Sequence, residues 1–300
     1  MTTAFVLGGG GVLGAVEVGM LRALFERDIR PDLVLGTSIG AFNGALVASQ
    51  PELAVVERLT DLWQSVSSAR DAGYGDRPLR TVRRAVKYRT HLWSAAPLRQ
   101  RLEEELGDRT FEELPVTFQV CAASIERSAE HWFTSGRVVD AVVASAAVPG
   151  LLPPAKVGDE HYLDGGIVNS VPLGRAVGLG ATRVLVLQVG RLDRPLKPPR
   201  RPWEVARVSF EIARRHRFVR ELAELSDAVE CHVLPARGTS PRDDTLLGSR
   251  DFAGVQKRID ATYDASKAYL EEHLSTPPSS SSPPLPSSDE QLDGDSGDAS

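Results

Sequence analysis

The residues best suited to chemistry lie in two glycine-rich stretches near the start of the chain, Gly8-Gly9-Gly10-Gly11-Val12-Leu13-Gly14 and Gly36-Thr37-Ser38-Ile39-Gly40. Each follows an apolar run, Ala4 to Leu7 or Leu33 to Leu35, and each precedes a helix-like pattern. The first stretch can present bare backbone N–H groups at a helix N-terminus, where a developing negative charge is stabilised. Glycine is needed there because side chains would block close approach of the backbone to a substrate oxygen. The second has the G-x-S-x-G form of a nucleophile elbow, a tight strand-to-helix turn that exposes one serine. A serine hydroxyl is a poor nucleophile until a base takes its proton and donors hold the resulting oxyanion. Ser38 supplies the hydroxyl, with Gly36 and Gly40 flanking it, and the N–H groups around Gly9, Gly10 and Gly11 are candidates for the oxyanion hole.

The base must lie downstream. Ala144-Ser145-Ala146-Ala147-Val148-Pro149 runs into Pro153-Pro154, and Asp164-Gly165-Gly166 follows, then Asn169 and Pro172. An Asp before two glycines reads as a sharp turn that fixes a carboxylate in an exposed position. Two other systems share parts of this pattern. Gly9-x-Gly11-x-x-Gly14 satisfies a dinucleotide fingerprint, but that fold wants an acid at the end of the second strand, and Asp32 precedes that strand. An α/β-hydrolase uses histidine as its base and places several strands before its nucleophile, whereas Ser38 follows only the second. His216 and His232 are available in principle, and neither has a distinctive setting.

Strand-like runs at 4–7, 33–35, 116–123, 131–134, 183–189 and 229–234 must position these residues, and helix-like stretches lie between most of them. That alternation predicts an α/β layer architecture. The first helix places Leu13, Val16, Met20 and Leu24 on one stripe, and Phe252, Val255, Ile259, Tyr263 and Leu270 form another near the C-terminus.

At 300 residues the chain can bury a substantial core, and 42% hydrophobic with 25% charged residues is an ordinary globular balance. The formal net charge is −5, yet the segment 275–300 alone holds five acids and no Lys or Arg, so the rest is neutral overall. A nucleic-acid partner is therefore not expected. That Ser/Pro/Asp-rich tail holds only two leucines and reads as disordered. Arg77 to Arg101 contains eight basic residues and no acid. It reads either as a solvated helical face or as a basic flap for peripheral contact with anionic lipid head groups. Two cysteines, Cys121 and Cys231, with no basic segment at the start and no long apolar run, make a reducing, cytoplasmic setting the expectation.

The two glycine stretches, the Ala-Ser-x-Ala-x-Pro segment at 144–149, and Asp164-Gly165-Gly166 with Asn169 and Pro172 together resemble the patatin-like phospholipases. The resemblance spans roughly residues 4 to 190. It implies a three-layer α/β/α sandwich with a mostly parallel central sheet and a catalytic Ser-Asp dyad. Ser38 becomes the nucleophile and Asp164 the base that contacts it directly. Gly9, Gly10 and Gly11 become the oxyanion hole, with Gly165 and Gly166 supporting the motif. It also implies hydrolysis of lipid acyl esters, of phospholipids or glycerides, with no metal ion or other cofactor.

The chain departs from the family pattern at Leu13, where Arg or Lys is usual. A cation there would hold an anionic head group or steady the loop, so its loss shifts the expectation toward neutral glycerides or simpler esters. A carboxylate base for a serine also needs its pKa raised by burial, so activity is expected to fall at acid pH. The organisation expected is a catalytic core over 1–190, with 69–107 as a lid or membrane-facing insertion. A helical extension over 191–274 packs on that core, and a tail covers 275–300. Trp63 and Trp93 read as core residues in preference to interfacial anchors. The competing functions are a non-catalytic lipid-binding or regulatory protein and a dinucleotide-binding oxidoreductase.

Overall fold

The structure, a computed structural model, describes residues 1–71, 90–91, 93–189, 195–237 and 254–274. Its frame is one eight-stranded sheet: β1 (Thr3–Leu7), β2 (Leu33–Thr37), β3 (Thr117–Ser124), β4 (Ala129–Phe133), β5 (Ala155–Val157), β6 (Glu160–Asp164), β7 (Arg183–Leu187) and β8 (Glu230–Val233). The order is β5-β6-β3-β2-β1-β7-β8, with β4 also paired to β3. The β3-β2-β1-β7-β8 part is parallel, and every pairing among β3, β4, β5 and β6 is antiparallel.

Helices cover both faces: α1 (Ala15–Phe25), α2 (Ile39–Ser49), α3 (Ala54–Asp71), α4 (Ala96–Leu106), α5 (Val138–Ser145), α6 (Leu173–Gly178), α7 (Pro202–Ala223) and α8 (Val255–Leu274). The alternation of side chains along β1 sorts them. Phe5 and Leu7 point into a core shared with α1, α2, α3, α4, α5 and α8, whereas Ala4 and Val6 join Leu173, Ala176 and Phe218 from α6 and α7. The result is a three-layer α/β/α sandwich. Parallel strands buried on both faces need continuous apolar runs, which is why Leu33–Leu35 and Val184–Leu187 were legible as strands.

Two sequence readings change. The first helix was expected to bury one stripe, but α1 is buried almost all round, because α8 lies across its outer side. Ahead of α1, Gly11–Gly14 form a 3₁₀ turn, so Leu13 lies outside the α-helix. The hairpin β5–β6 was not anticipated at all, and β6 carries Asp164 at its end. Phe252, the expected first member of the C-terminal stripe, and the tail 275–300 lie outside the described residues.

Candidate active site

Ser38 follows the last residue of β2 and caps the N-terminus of α2 with φ 56° and ψ −121°. A positive φ is strained for a non-glycine residue and persists only where the surroundings impose it. Here they do. The Ser38 N–H donates to Ser145 Oγ at 2.7 Å, and Ser145 Oγ donates to the Cys121 carbonyl at 2.5 Å. The Ala-Ser-x-Ala-x-Pro segment thus has a role the sequence did not disclose: its serine, at the end of α5, pins the elbow to β3. Gly40 lets α2 start hard against β1, since a Cβ there would lie 2.3 Å from the Leu7 carbonyl oxygen.

The register of β3 brings the distant carboxylate to the serine. β2 pairs with β3 as far as Thr37 opposite Cys121, and β6 takes over at the next residue, with Asp164 opposite Ala122. The C-terminal ends of β2 and β6 therefore meet. Gly165 makes the junction fit, because a Cβ there would fall 2.2 Å from the Cys121 carbonyl oxygen. Ser38 Oγ donates to Asp164 Oδ2 at 2.6 Å, and Asp164 Oδ1 accepts the Gly166 N–H at 2.7 Å. Both residues are buried, so the exposed carboxylate expected of the Asp-Gly-Gly turn is corrected: the turn closes a strand that the sheet encloses. Burial pushes the Asp164 carboxyl up to about 6, against the lowering effects of Ser38, the Gly166 N–H and the Arg214 charge.

The glycine stretch borders this pair. A Cβ on Gly9 would lie 3.3 Å from Ser38 Cβ and 3.2 Å from Ser170 Oγ. The Gly9 N–H is engaged by the Ser170 carbonyl at 2.9 Å, so it is not free to hold an oxyanion. The Gly10 N–H has no acceptor among the described residues. The loop after Asp164 also braces the elbow, since Thr37 Oγ1 donates to the Asn169 carbonyl at 2.8 Å. Among the described residues, the Asn169 carboxamide and Ser170 Oγ are buried without a hydrogen-bond partner.

Two arginines that the sequence reading did not single out reach these loops from α7. Arg214 Nη1 donates to the Gly9 carbonyl, and Arg217 Nη1 donates to the Val168 carbonyl at 2.6 Å. Position 13 thus carries a leucine, while a buried cation reaches the glycine loop from a helix two hundred residues away. The available signal was a charge on an apolar stripe: Arg214 and Phe218, one turn apart, are both buried.

Behind the glycine stretch, Asn43 Nδ2 donates to the Gly14 carbonyl at 2.9 Å and to Glu17 Oε2 at 2.7 Å, while Trp63 Nε1 donates to Asn43 Oδ1 at 3.2 Å. Trp63 is thereby a core residue, and Trp93 is half-buried, its N–H on the Leu151 carbonyl. Burial holds the fully enclosed Glu17 carboxyl well above the ordinary carboxylate range. Burial likewise pushes the Cys121 thiol far up and the Cys231 thiol up to about 12.

The other sequence candidates are elsewhere. Asp32 Oδ2 accepts the Thr3 N–H at 2.8 Å, at the opposite end of β1 from the glycines, where no ribose of a nucleotide on that loop could reach it. His232 lies on the edge strand β8 and bonds Glu230 and Tyr269, and His216 is exposed on α7. Of the basic run, residues 77–89 lie outside the described residues. Arg99 pairs with Asp140 at 2.6 Å, and Arg101 donates to Ser65 Oγ at 2.5 Å. Leu102 and Leu106 of the expected lid segment are in the core. Among the described residues no helix is long and apolar enough to cross a membrane.

A family model described as patatin-like phospholipase matches residues 5–177, from the first strand to the helix beyond the Asp164 loop. The chain belongs to the patatin-like phospholipase family. This patatin-like chain is 34% identical over 197 residues to patatin-like phospholipase domain-containing protein 7 of Rattus norvegicus, covering 63% of the chain and 14% of that protein. It is 30% identical over 200 residues to lysophospholipase nte1 of Aspergillus terreus, covering 64% and 12%. It is 31% identical over 195 residues to neuropathy target esterase sws of Drosophila melanogaster, covering 63% and 13%. The patatin-like chain thus spans about one-eighth of the length of these curated relatives. Among solved structures, VipD from Legionella pneumophila aligns with 91% of this chain and 67% of its own, at 15% identity and a TM-score of 0.48.

Proposed function

We propose that this chain hydrolyses carboxylic esters of lipids by acyl transfer through Ser38, with Asp164 as the general base. The observation that carries the reading is the 2.6 Å hydrogen bond from Ser38 Oγ to Asp164 Oδ2 at a strained, positive-φ elbow. A serine in that conformation, bonded directly to a buried carboxylate, is arranged as a nucleophile and its base. Family membership, and relatives named as a lysophospholipase and an esterase, support a lipid ester as the substrate.

The steps follow from the groups present. Asp164 takes the Ser38 proton as Oγ attacks the ester carbonyl, whose oxygen gains the charge. The N–H groups of Gly10 and Gly11 hold that oxyanion, and Gly9 contributes by shape, because its own N–H is engaged. Asp164 returns the proton to the departing alcohol, which leaves an acyl-Ser38. Water then gives a proton to Asp164 and attacks the acyl carbon, and Ser38 Oγ leaves with that proton as the fatty acid is released. A base pushed up to about 6 is still mostly ionised at neutral pH and is stronger than an ordinary carboxylate. We further propose that the described parts of 191–274 form an extension of the 1–190 core, which supplies Arg214 and Arg217 to its loops.

The test is fluorophosphonate labelling of purified protein with mass mapping of the adduct. Labelling at Ser38, absent in Ser38→Ala, is expected. A folded wild type that stays unlabelled in the presence of detergent or lipid would replace this reading with a non-catalytic lipid-binding protein.

A further inference from the structure

A guanidinium is costly to bury unless it is paired well, and Arg214 is not. Its side chain is 6% exposed, its nearest carboxylate, Glu211, lies at 3.5 Å, and Glu211 also faces Arg215 at 3.4 Å. Arg214 Nε has no partner among the described residues. The close hydrogen bond of this buried cation goes to one backbone atom, the Gly9 carbonyl oxygen. Packing alone would be served as well by an apolar residue of the same length, so the bond to Gly9 calls for a reason.

The reason lies in the peptide unit that begins at that carbonyl. In a trans peptide the C=O and the following N–H point in opposite directions, so fixing the Gly9 oxygen fixes the Gly10 N–H. No peptide among the described residues is cis. Adjacent glycines leave this unit with little intrinsic resistance to rotation. The N-terminal side of Gly9 is tied by its N–H to the Ser170 carbonyl, whereas the carbonyl side is tied to Arg214. Gly9 packs against Ser38, and a Cβ on Gly10 would fall 1.6 Å from Val189 Cγ2, so the unit is held tightly between Ser38 and the segment that follows β7. A hydrogen bond from a cation to the carbonyl also polarises the peptide and strengthens its N–H as a donor.

We propose that Arg214 is a positioning residue, which orients and polarises the Gly9–Gly10 peptide so that the Gly10 N–H meets the developing oxyanion at Ser38. The proposal rests on the acyl-transfer reading above. It makes a helix beyond the matched family region part of the catalytic apparatus, although Arg214 itself touches no reacting atom.

Arg214→Met and Arg214→Lys test it in the full chain, with a soluble p-nitrophenyl ester and a fluorophosphonate as probes. Losing one oxyanion donor lowers kcat by about 10²–10³-fold. Arg214→Met is expected to lower kcat by about 10²-fold with KM changed less than about threefold, and to slow phosphonylation equally. Arg214→Lys keeps the charge without the fixed fork and is expected to recover part of that loss. The charge and the hydrogen bond separate in the pH profile. The groups facing Asp164 are the Arg214 cation, the Ser38 hydroxyl, the Gly166 N–H and the protonated Cys121 thiol. Methionine removes the cation that lowers the Asp164 pKa, so its acid limb moves to higher pH, while that of Arg214→Lys stays in place. A folded Arg214→Met with kcat within about threefold of wild type overturns the proposal and leaves the acyl-transfer reading intact. If Arg214→Met fails to fold, Arg214→Leu, which likewise lacks the donor, takes its place, and a folded Arg214→Leu with kcat within about threefold of wild type does the same. A wild type never labelled at Ser38 overturns both.

Discussion

Ser38 and Asp164 are 126 positions apart and share one 2.6 Å hydrogen bond, set by consecutive residues of a third strand: Cys121 faces Thr37 and Ala122 faces Asp164. A shift of one residue in either pairing would separate hydroxyl and carboxylate by a full strand step of about 3.3 Å and turn the side chain to the other face. The precision of the pair therefore resides in β3, which contributes no reacting group.

On the proposed mechanism, replacing either member removes the base or the nucleophile, and neither side chain is needed to hold the sheet together. Asp164→Asn is expected to lower kcat/KM on a soluble ester by about 10²–10⁴-fold, the range for general acid–base assistance. Far-ultraviolet circular dichroism is expected to match wild type. Activity retained within about tenfold would remove Asp164 from the mechanism.

The acid limb of the activity profile follows from the same carboxyl. Asp164 acts as a base only when ionised, and burial pushes it up to about 6. Rate is expected to rise with pH, reach half its plateau near pH 6, and stay level through neutral pH. A profile of kcat/KM from pH 4.5 to 8.5 checks this, and a midpoint at the ordinary aspartate value of about 4 would contradict it.

Glu17 supplies a stability effect of defined sign. Its carboxyl is fully buried and held well above its ordinary value of 4.5 in the folded protein, so between the two values the unfolded chain binds fewer protons. Stability is therefore full below about pH 4.5 and falls as pH rises, by at most about 1.4 kcal/mol per pH unit from this group. Asp164 contributes the same sign up to about 6. In Glu17→Gln the Glu17 part vanishes, so its stability relative to wild type is expected to grow as pH rises above about 4.5. Urea unfolding at several pH values measures the difference, and parallel curves would refute it.

Gly40 is a packing constraint on the elbow. Alanine would place its Cβ 2.3 Å from the Leu7 carbonyl oxygen, a backbone atom that cannot turn aside as a side chain could. Gly40→Ala is expected to destabilise the fold by about 1–3 kcal/mol, the usual cost of overpacking. It should also lower kcat, because α2 and Ser38 must move together. Gly178→Ala, at the end of α6, is the contrasting control, since nothing lies within 4 Å of its Cβ position and its φ is not positive.

What the sequence determined by itself is local. Buried parallel strands need unbroken apolar runs, so β1, β2, β3 and β7 were readable, and the turns needed glycines that stood in motif order around Ser38 and Asp164. The hairpin of β5 and β6 was not readable, because β5 spans only three residues and β6 opens on Glu160 and His161, too little for an apolar pattern to show. The engagement of the Gly9 N–H by Ser170, and the reach of Arg214 to the Gly9 carbonyl from α7, were equally invisible. These depend on which backbone atoms meet across long loops. Residue type and spacing encode the conformation of neighbours along the chain, whereas the aim of one peptide N–H is decided by packing between elements. Only the folded sheet and the helix laid across it could decide which glycine N–H is already engaged and which cation reaches the Gly9 carbonyl.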